Sequence, residues 1–252
     1  MYFAFKDQRV AVNVPDLARL SAGISQAFRE HRGFALATVN LDHLVKLNQD
    51  AAFLEAYLAQ DMVVADGRPI VWLSRLAQRP VQLMPGSDLV TPLCHLAVQS
   101  GVTVAFVGSR QPVLELAAER LRHWVPGLEI AYIHAPAFGF DPEGEAARAI
   151  LTELRDRDIG LCFVALGAPK QERFAAFGRS IAPSVGFASI GAGLDFVAEH
   201  QHRAPLWMRR LAMEWLWRML TNPLRLAPRY AKCFAILPRQ VAAALRLRHQ
   251  AR

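Results

Sequence analysis

Ile159-Gly-Leu-Cys-Phe-Val-Ala-Leu-Gly-Ala-Pro-Lys-Gln-Glu172 is an apolar run that stops at a glycine and then opens a helix at a proline. A short run without polar alternation reads as a strand buried on both faces, the habit of parallel sheets covered by helices. Pro169 suits a helix start because its φ is already fixed and it has no amide to leave unbonded. The same grammar extends in both directions. Val102-Thr-Val-Ala-Phe-Val107 ends at Gly108 and precedes a helix predicted over Gln111–Trp124; residues 128–133 read as a strand and 142–155 as a helix. The helix opened at Pro169 runs to about Arg179, and strand 185–190 runs into Gly191-Ala-Gly193. Towards the N-terminus, Phe34-Ala-Leu-Ala-Thr-Val39 and Met62-Val-Val-Ala65 are strands, separated by a helix face at Leu41, Leu44, Leu47, Leu54 and Leu58. Strands alternating with helices predict an α/β fold with a parallel sheet.

Residues 1–200 form the expected body, with a smaller α/β portion to about 77 and a ligand-binding portion over about 100–200. After Gln201 strand signals cease. A Trp-rich amphipathic helix is expected over 206–220, then Asn222-Pro223 and Pro228 as breakers, then a basic helical tail, so 201–252 reads as an appendage. The charge is divided the same way. The chain carries +7 in all, yet 203–252 holds eleven basic residues against Glu214 alone, whereas 1–202 holds 18 basic and 21 acidic residues. Such an end needs an anionic partner: phospholipid, pyrophosphate or nucleic acid. With 53% apolar and 20% charged residues the composition is that of a packed domain. No apolar stretch approaches the roughly 18 residues of a membrane span. Met1-Tyr-Phe-Ala-Phe5 is too short for a signal peptide, and Lys6-Asp-Gln-Arg9 follows it at once. Cys94, Cys162 and Cys233 lack metal-ligand spacing and fit a reducing cytoplasm.

Ligands of open parallel sheets bind beyond the carboxyl ends of the strands. Those ends carry Thr38 and Asn40, Asp66-Gly67, Gly108-Ser109, Gly167-Ala-Pro-Lys-Gln-Glu172 and Gly191-Ala-Gly-Leu-Asp195, with Phe138-Gly139-Phe140 several residues past the fourth strand. Glycines at such turns admit a phosphate to backbone amides, although a left-handed turn needs glycine anyway. Lys170 opposes the helix dipole in a first turn, which calls for an anion nearby or an ion pair with Glu172; a solvated first turn is the plain alternative. Asp66, at the end of an apolar strand, is either a general base or a turn-capping acid. No P-loop occurs, Gly191-x-Gly193 lacks a third glycine, and Asp156-Arg-Asp158 falls at the opposite rim, so neither a dinucleotide nor a metal site is expected.

Thr38-Val-Asn40, Ala65-Asp-Gly67, Pro85-Gly-Ser-Asp88, Gly167-x-Pro-Lys-Gln-Glu172, Gly191-x-Gly-x-Asp-Phe196, Arg203-Ala-Pro205, Glu214-Trp-Leu-Trp-Arg218 and Pro223-x-Arg225 with Arg229-Tyr230 together resemble the WecG/TagA/CpsF family of bacterial glycosyltransferases (family 26), across nearly the whole chain. The resemblance implies a Rossmann-like body and an inverting, metal-independent transfer from a UDP-sugar to a polyprenyl-diphosphate-linked sugar, with no cofactor. It implies Asp66 as base, with Thr38 and Asn40 arranging the sugars. Gly108, Gly139, Phe140, Gly167, Lys170, Gln171, Glu172 and Asp195 would hold UDP, with Gln171 at the diphosphate, Asp195 at the ribose and the Gly139-Phe140 segment against uracil. Arg203, Arg218 and Arg225 would meet diphosphate charge. Thr38-Val-Asn-Leu-Asp-His43 looks closer to the glucosyltransferases of exopolysaccharide synthesis, which favours glucose; N-acetylmannosamine or its uronic acid is the alternative.

Membrane association at the cytoplasmic face of the inner membrane is expected through Trp207, Trp215 and Trp217 with Arg209, Arg210, Arg239, Arg246 and Arg248. Trp215 is assigned to the core and the segment beyond Phe234 to lipid. A nucleic-acid-binding module and a non-catalytic membrane scaffold are the rival readings, though no RNA or DNA motif is present. The oligomeric state is open, a homo-oligomer included.

Overall fold

The computed structural model describes residues 1–200, 208, 214–221 and 223–250. Six parallel strands form one sheet in the order β4-β3-β8-β7-β5-β6: β3 (Ala35–Val39), β4 (Met62–Ala65), β5 (Val104–Gly108), β6 (Ile130–His134), β7 (Leu161–Ala165) and β8 (Gly186–Ser189). An antiparallel pair, β1 (Tyr2–Phe5) and β2 (Gln8–Ala11), precedes it. Every residue of β3, β5, β7 and β8 is buried, as the unbroken apolar runs require. β5 and β7 put Phe106 opposite Phe163, whose rings meet edge to face at 5.8 Å. The β4 edge is closed by Asn13, which accepts from Val63 N–H, and by a bridge between Ala65 and Leu83.

Helices cover both faces. On one lie α1 (Leu17–Arg29), α5 (Gly86–Gln99), α6 (Gln111–Trp124) and α9 (Gly193–Val197), packed around Leu20, Leu93, Leu114, Phe106 and Phe163. On the other lie α2 (Leu41–Leu47), α3 (Ala51–Leu58), α7 (Glu145–Asp156) and α8 (Lys170–Ile181); α4 (Arg68–Leu76) joins the cluster of α2 and α3. The chain leaves β5 for α6 and β7 for α8, on opposite faces. It likewise leaves β3 for α2 and β8 for α9. Loops diverge at both places, so two adjoining crevices open at the carboxyl rim.

Two helices remain, α10 (Glu214–Thr221) and α11 (Pro223–His249). Here the structure corrects the sequence reading. Pro223 opens α11 just after α10 ends at Thr221, as expected of the break there, but Pro228, expected as a second breaker, sits with Pro238 inside one continuous helix. Both prolines are solvent-exposed, as are Leu224 and Phe234 one turn before them, 93% and 51% exposed, so the amide bonds the prolines cannot make fall on the outer side of the helix. The segment beyond Phe234 also packs on the body: Ala244 and Leu247 are buried against the α2–α4 cluster, with Ile236 and Val241 partly buried beside them. An ion pair of 2.9 Å joins Arg229 of the helix to Asp42 of α2. Its outer side still shows Leu224, Ala231, Pro238 and Leu245 at seven-residue intervals, beside Lys232, Arg239 and Arg246 at the same interval, all exposed. Trp217 is half-buried; Arg203, Trp207, Arg209 and Arg210, and the Trp215 side chain, lie outside the described residues.

The turns missed in the sequence have local causes. The β1–β2 connection uses Lys6 at φ 50°, and Pro92 interrupts the pattern of α5 without ending it. Gly108 has φ 119°, and a Cβ there would sit 2.4 Å from the Ala165 carbonyl carbon. Gly139, at φ 84°, has open space around its would-be Cβ. Gly108→Ala should therefore cost at least about 2 kcal/mol, whereas Gly139→Ala should cost only the left-handed backbone term of about 1 kcal/mol. Urea denaturation of both variants measures the difference.

Candidate active site

Asn40 follows β3 in extended conformation and caps α2. Its Oδ1 accepts from the His43 amide, and its Nδ2 donates to Asp66 Oδ2, both at 3.1 Å. Asp66 follows β4, and its amide donates to the Val39 carbonyl at 2.8 Å, extending the sheet's ladder one residue further. Gly67, at φ 106°, then turns the chain into α4. The carboxylate is thus held at the rim from two sides, by its own backbone and by a side-chain amide that a helix cap immobilises. Thr38 is only 4% exposed, and its carbonyl accepts from the Tyr57 hydroxyl at 2.6 Å. His43 is buried, and desolvation pushes its pKa down to about 4 against the pull of Asp42, so it is neutral at pH 7.

The second crevice lies between the ends of β5 and β7. Ser109, at φ 51°, directs its hydroxyl to both Asp195 oxygens at 3.2 Å. Lys170 Nζ donates to the Phe140 carbonyl at 2.7 Å. That bond replaces the ion pair with Glu172 considered from the sequence. The solvated first turn is excluded too, because Gln171 and Glu172 are 2% and 0% exposed. Gln171 donates to Glu172 Oε1 at 2.8 Å and accepts from the Gly191 amide at 3.0 Å, so it pins the β8 turn to α8 from below the rim. Glu172 therefore supports the crevice floor and reaches no ligand in this conformation. Burial raises its pKa to about 7 despite the Gln171 hydrogen bond and the charge of Lys46. Tyr57, fully buried, joins the two halves. Its pKa is raised by burial and then by the carboxylates of Glu172 and Asp66 together.

A cleft of about 410 Å³ is lined by Ser109, Arg110, Lys170, Asp195 and the loop of residues 136–140. A larger cleft of about 940 Å³ shares that loop and extends along β6 past Tyr132, His134 and Glu153, on the side of the sheet away from β4. The expected Gly139, Phe140, Lys170 and Asp195 come together in the smaller cleft. Gly108 and Gly167 form the turns behind it, Gly167 at φ 71°. Sequence reading missed Arg110, an exposed cation beside His200 that follows Gly108-Ser109 directly; a basic residue after a glycine turn was the available signal. Arg203 lies outside the described residues. Arg218 and Arg225 are placed on α10 and α11, their side chains outside the described set. Asp156 pairs with Arg155 at the end of α7, and Asp158 occupies the turn before β7, at the opposite rim. Among the described residues no group of three or more His, Cys, Asp or Glu could hold a metal ion, and no helix is long and apolar enough to cross a membrane.

The family model for the glycosyl transferase WecG/TagA/CpsF family matches residues 7–251. A protein of Bacillus spizizenii named N-acetylglucosaminyldiphosphoundecaprenol N-acetyl-beta-D-mannosaminyltransferase is 30% identical over 198 residues, which is 78% of this chain and 74% of the relative. A Bacillus subtilis (strain 168) protein of the same name is 25% identical over 195 residues, covering 77% of this chain and 73% of the relative.

Glu172 generates a pH prediction. Its folded pKa of about 7 stands above the ordinary 4.5, so the folded state holds the proton more tightly than the unfolded one. Its contribution is complete below about pH 4.5 and is lost as pH rises to about 7. Glu172→Gln keeps the shape and removes the titration. Thermal melts from pH 4.5 to 8 should show the variant gaining on the parent as pH rises, with a level difference above pH 7; a difference independent of pH contradicts the assignment.

Proposed function

We propose, on the premise that this chain belongs to the WecG/TagA/CpsF family of glycosyl transferases, that it moves N-acetylmannosamine, or a close derivative, from UDP to a sugar held on polyprenyl diphosphate. Membership displaces the nucleic-acid and scaffold readings. The relatives' names favour the N-acetylmannosaminyl alternative over the glucosyl transfer expected from residues 38–43. The observation that carries the reading is the carboxylate of Asp66, oriented by Asn40, on the same rim as a cleft lined by Ser109, Arg110, Lys170 and Asp195.

The chemistry follows from charge and position. UDP occupies the cleft, with its ribose at Asp195, which Ser109 orients, and its uracil along the Gly139-Phe140 segment. The diphosphate lies towards Lys170, Arg110 and the turn that Gln171 pins. Asp66 takes the proton from the acceptor hydroxyl. The freed oxygen pair attacks the anomeric carbon as the bond to the UDP oxygen breaks, and UDP leaves with those electrons. One displacement on an α-linked donor inverts the centre and yields the β product that the relatives' names record. The leaving diphosphate needs fixed positive charge, which backbone amides, Lys170, Arg110 and the appendage's Arg203, Arg218 and Arg225 supply without a metal.

The acceptor's lipid places this step at a membrane surface, on the cytoplasmic face, in the assembly of a cell-surface polymer. α11 fits that location. Its inner face is committed to the body, while the outer apolar stripe and the line of Lys232, Arg239 and Arg246 are exposed and free of acidic residues.

Asp66→Asn should lower transfer by roughly 10²–10⁴-fold and leave UDP affinity, measured by calorimetry, unchanged. With a synthetic prenyl-diphosphate-linked N-acetylglucosamine acceptor and labelled UDP-sugars, label from UDP-N-acetylmannosamine should enter the lipid phase, with or without EDTA; entry from UDP-glucose alone would overturn the sugar assignment. Replacing Lys232, Arg239 and Arg246 by Gln should weaken sedimentation with anionic vesicles about a hundredfold, at about 1 kcal/mol per cation, and leave the fold intact by circular dichroism.

A further inference from the structure

Asp42 stands in the first turn of α2, two residues after Asn40, and its two oxygens serve different elements. Oδ1 lies 2.9 Å from Arg229 Nε of α11, and Oδ2 lies 3.0 Å from Lys46 Nζ one turn along α2. Lys46 hands the connection on: its Nζ donates to the Ala168 carbonyl at 3.0 Å, in the turn between β7 and α8, two residues before Lys170. The path from the appendage to the floor of the nucleotide crevice thus runs Arg229, Asp42, Lys46, Ala168. A branch of the same helix start runs through Asn40 to Asp66. The Asp42 side chain is 11% exposed, against 35% for Lys46 and 41% for Arg229. Solvent screens the two cations, so neither pair alone would matter much. The carboxylate is nearly desolvated, and losing one of its two cations leaves charge under-compensated in a poor solvent, which is costly. Lys46 is shared between Asp42 and Ala168, so whatever changes at Asp42 is felt in the turn that presents Lys170.

We propose that Asp42 is a positioning residue that couples the docking of α11 to the geometry of the active site, tying the appendage to both the Asn40–Asp66 pair and the turn of residues 167–170. It rests on the proposed transfer for what the site does, but not for the coupling itself. A basic appendage that brings cations to a leaving diphosphate is useful only when it is seated. A link through the site's own helix makes the seated position the one in which base and phosphate turn are correctly held.

The test uses the full chain and the variants Arg229→Gln, Arg229→Lys and Asp42→Asn, with folding checked by circular dichroism. Amide hydrogen exchange read by mass spectrometry reports each segment separately. Arg229→Gln and Asp42→Asn should raise exchange in Pro223–His249 and also in Leu41–Leu47 and residues 167–172, on the order of tenfold. Arg229→Lys, which keeps the charge, should restore most of the protection. In the transfer assay the two neutral variants should lose about tenfold in kcat with the donor KM unchanged. Faster exchange confined to α11, or a released α11 with unchanged kcat, means that the pair only fastens the helix and overturns the proposal. Absence of transfer by the parent protein would sink the transfer reading, and the exchange pattern would still decide the coupling.

Discussion

The sheet is buried on both faces, and everything about the rim follows from that. A strand covered on two sides must hand its chain to a helix on one face or the other, and where neighbouring strands choose opposite faces no loop can cross between them. Along the order β4-β3-β8-β7-β5-β6 the neighbours from β3 onward alternate faces, and two of the openings this leaves matter here, between β3 and β8 and between β7 and β5. The site occupies both openings. Asn40, which holds the Asp66 carboxylate, stands at the first and the charged cleft at the second, and the β7 and β8 turns between them are locked by Gln171 reaching from α8 to Gly191.

Beneath this rim the protein keeps polar groups where apolar ones would pack more cheaply. Glu172, Gln171, Tyr57 and His43 are all buried, and each has a hydrogen-bond partner among the side chains or backbone around it. Their cost is visible in the pKa values: burial drives Glu172 up to about 7 and His43 down to about 4. Directional bonds hold the rim turns at fixed angles, which non-directional packing could not do. Reaction at an anomeric centre requires that precision, because donor and acceptor must be aligned before any proton moves.

The appendage solves a different problem. A body carrying slightly more acid than base is a poor host for a leaving diphosphate, and the cations are concentrated in the last fifty residues. α11 is apolar on its inner side, where it packs on the body, and striped with exposed apolar and basic residues outside. The sequence showed its basic and apolar content but not the division between faces. Pro228 reads as a stop in the sequence, yet the helix continues through it, with the proline on its exposed side.

By itself the sequence determined the six strands of the parallel sheet and their order along the chain, the helices that follow β3, β5, β6 and β7 (though not α1, α4 or α5), the separation of a near-neutral body from a basic end, and the family. Those properties are local: apolar runs, glycines at turns and clustered charge are written in consecutive residues. It also supplied Asn40, Asp66, Lys170, Gln171 and Asp195 as candidates, without saying which touch. Tertiary structure decided that Asn40 grips Asp66, that Lys170 bonds Phe140 and not Glu172, that Glu172 lies under the floor, and that Asp42 meets Arg229 across 187 positions of chain. Such pairings depend on the sheet order and on which face each helix takes. Both are set by the global burial of apolar surface, and no window of sequence contains it.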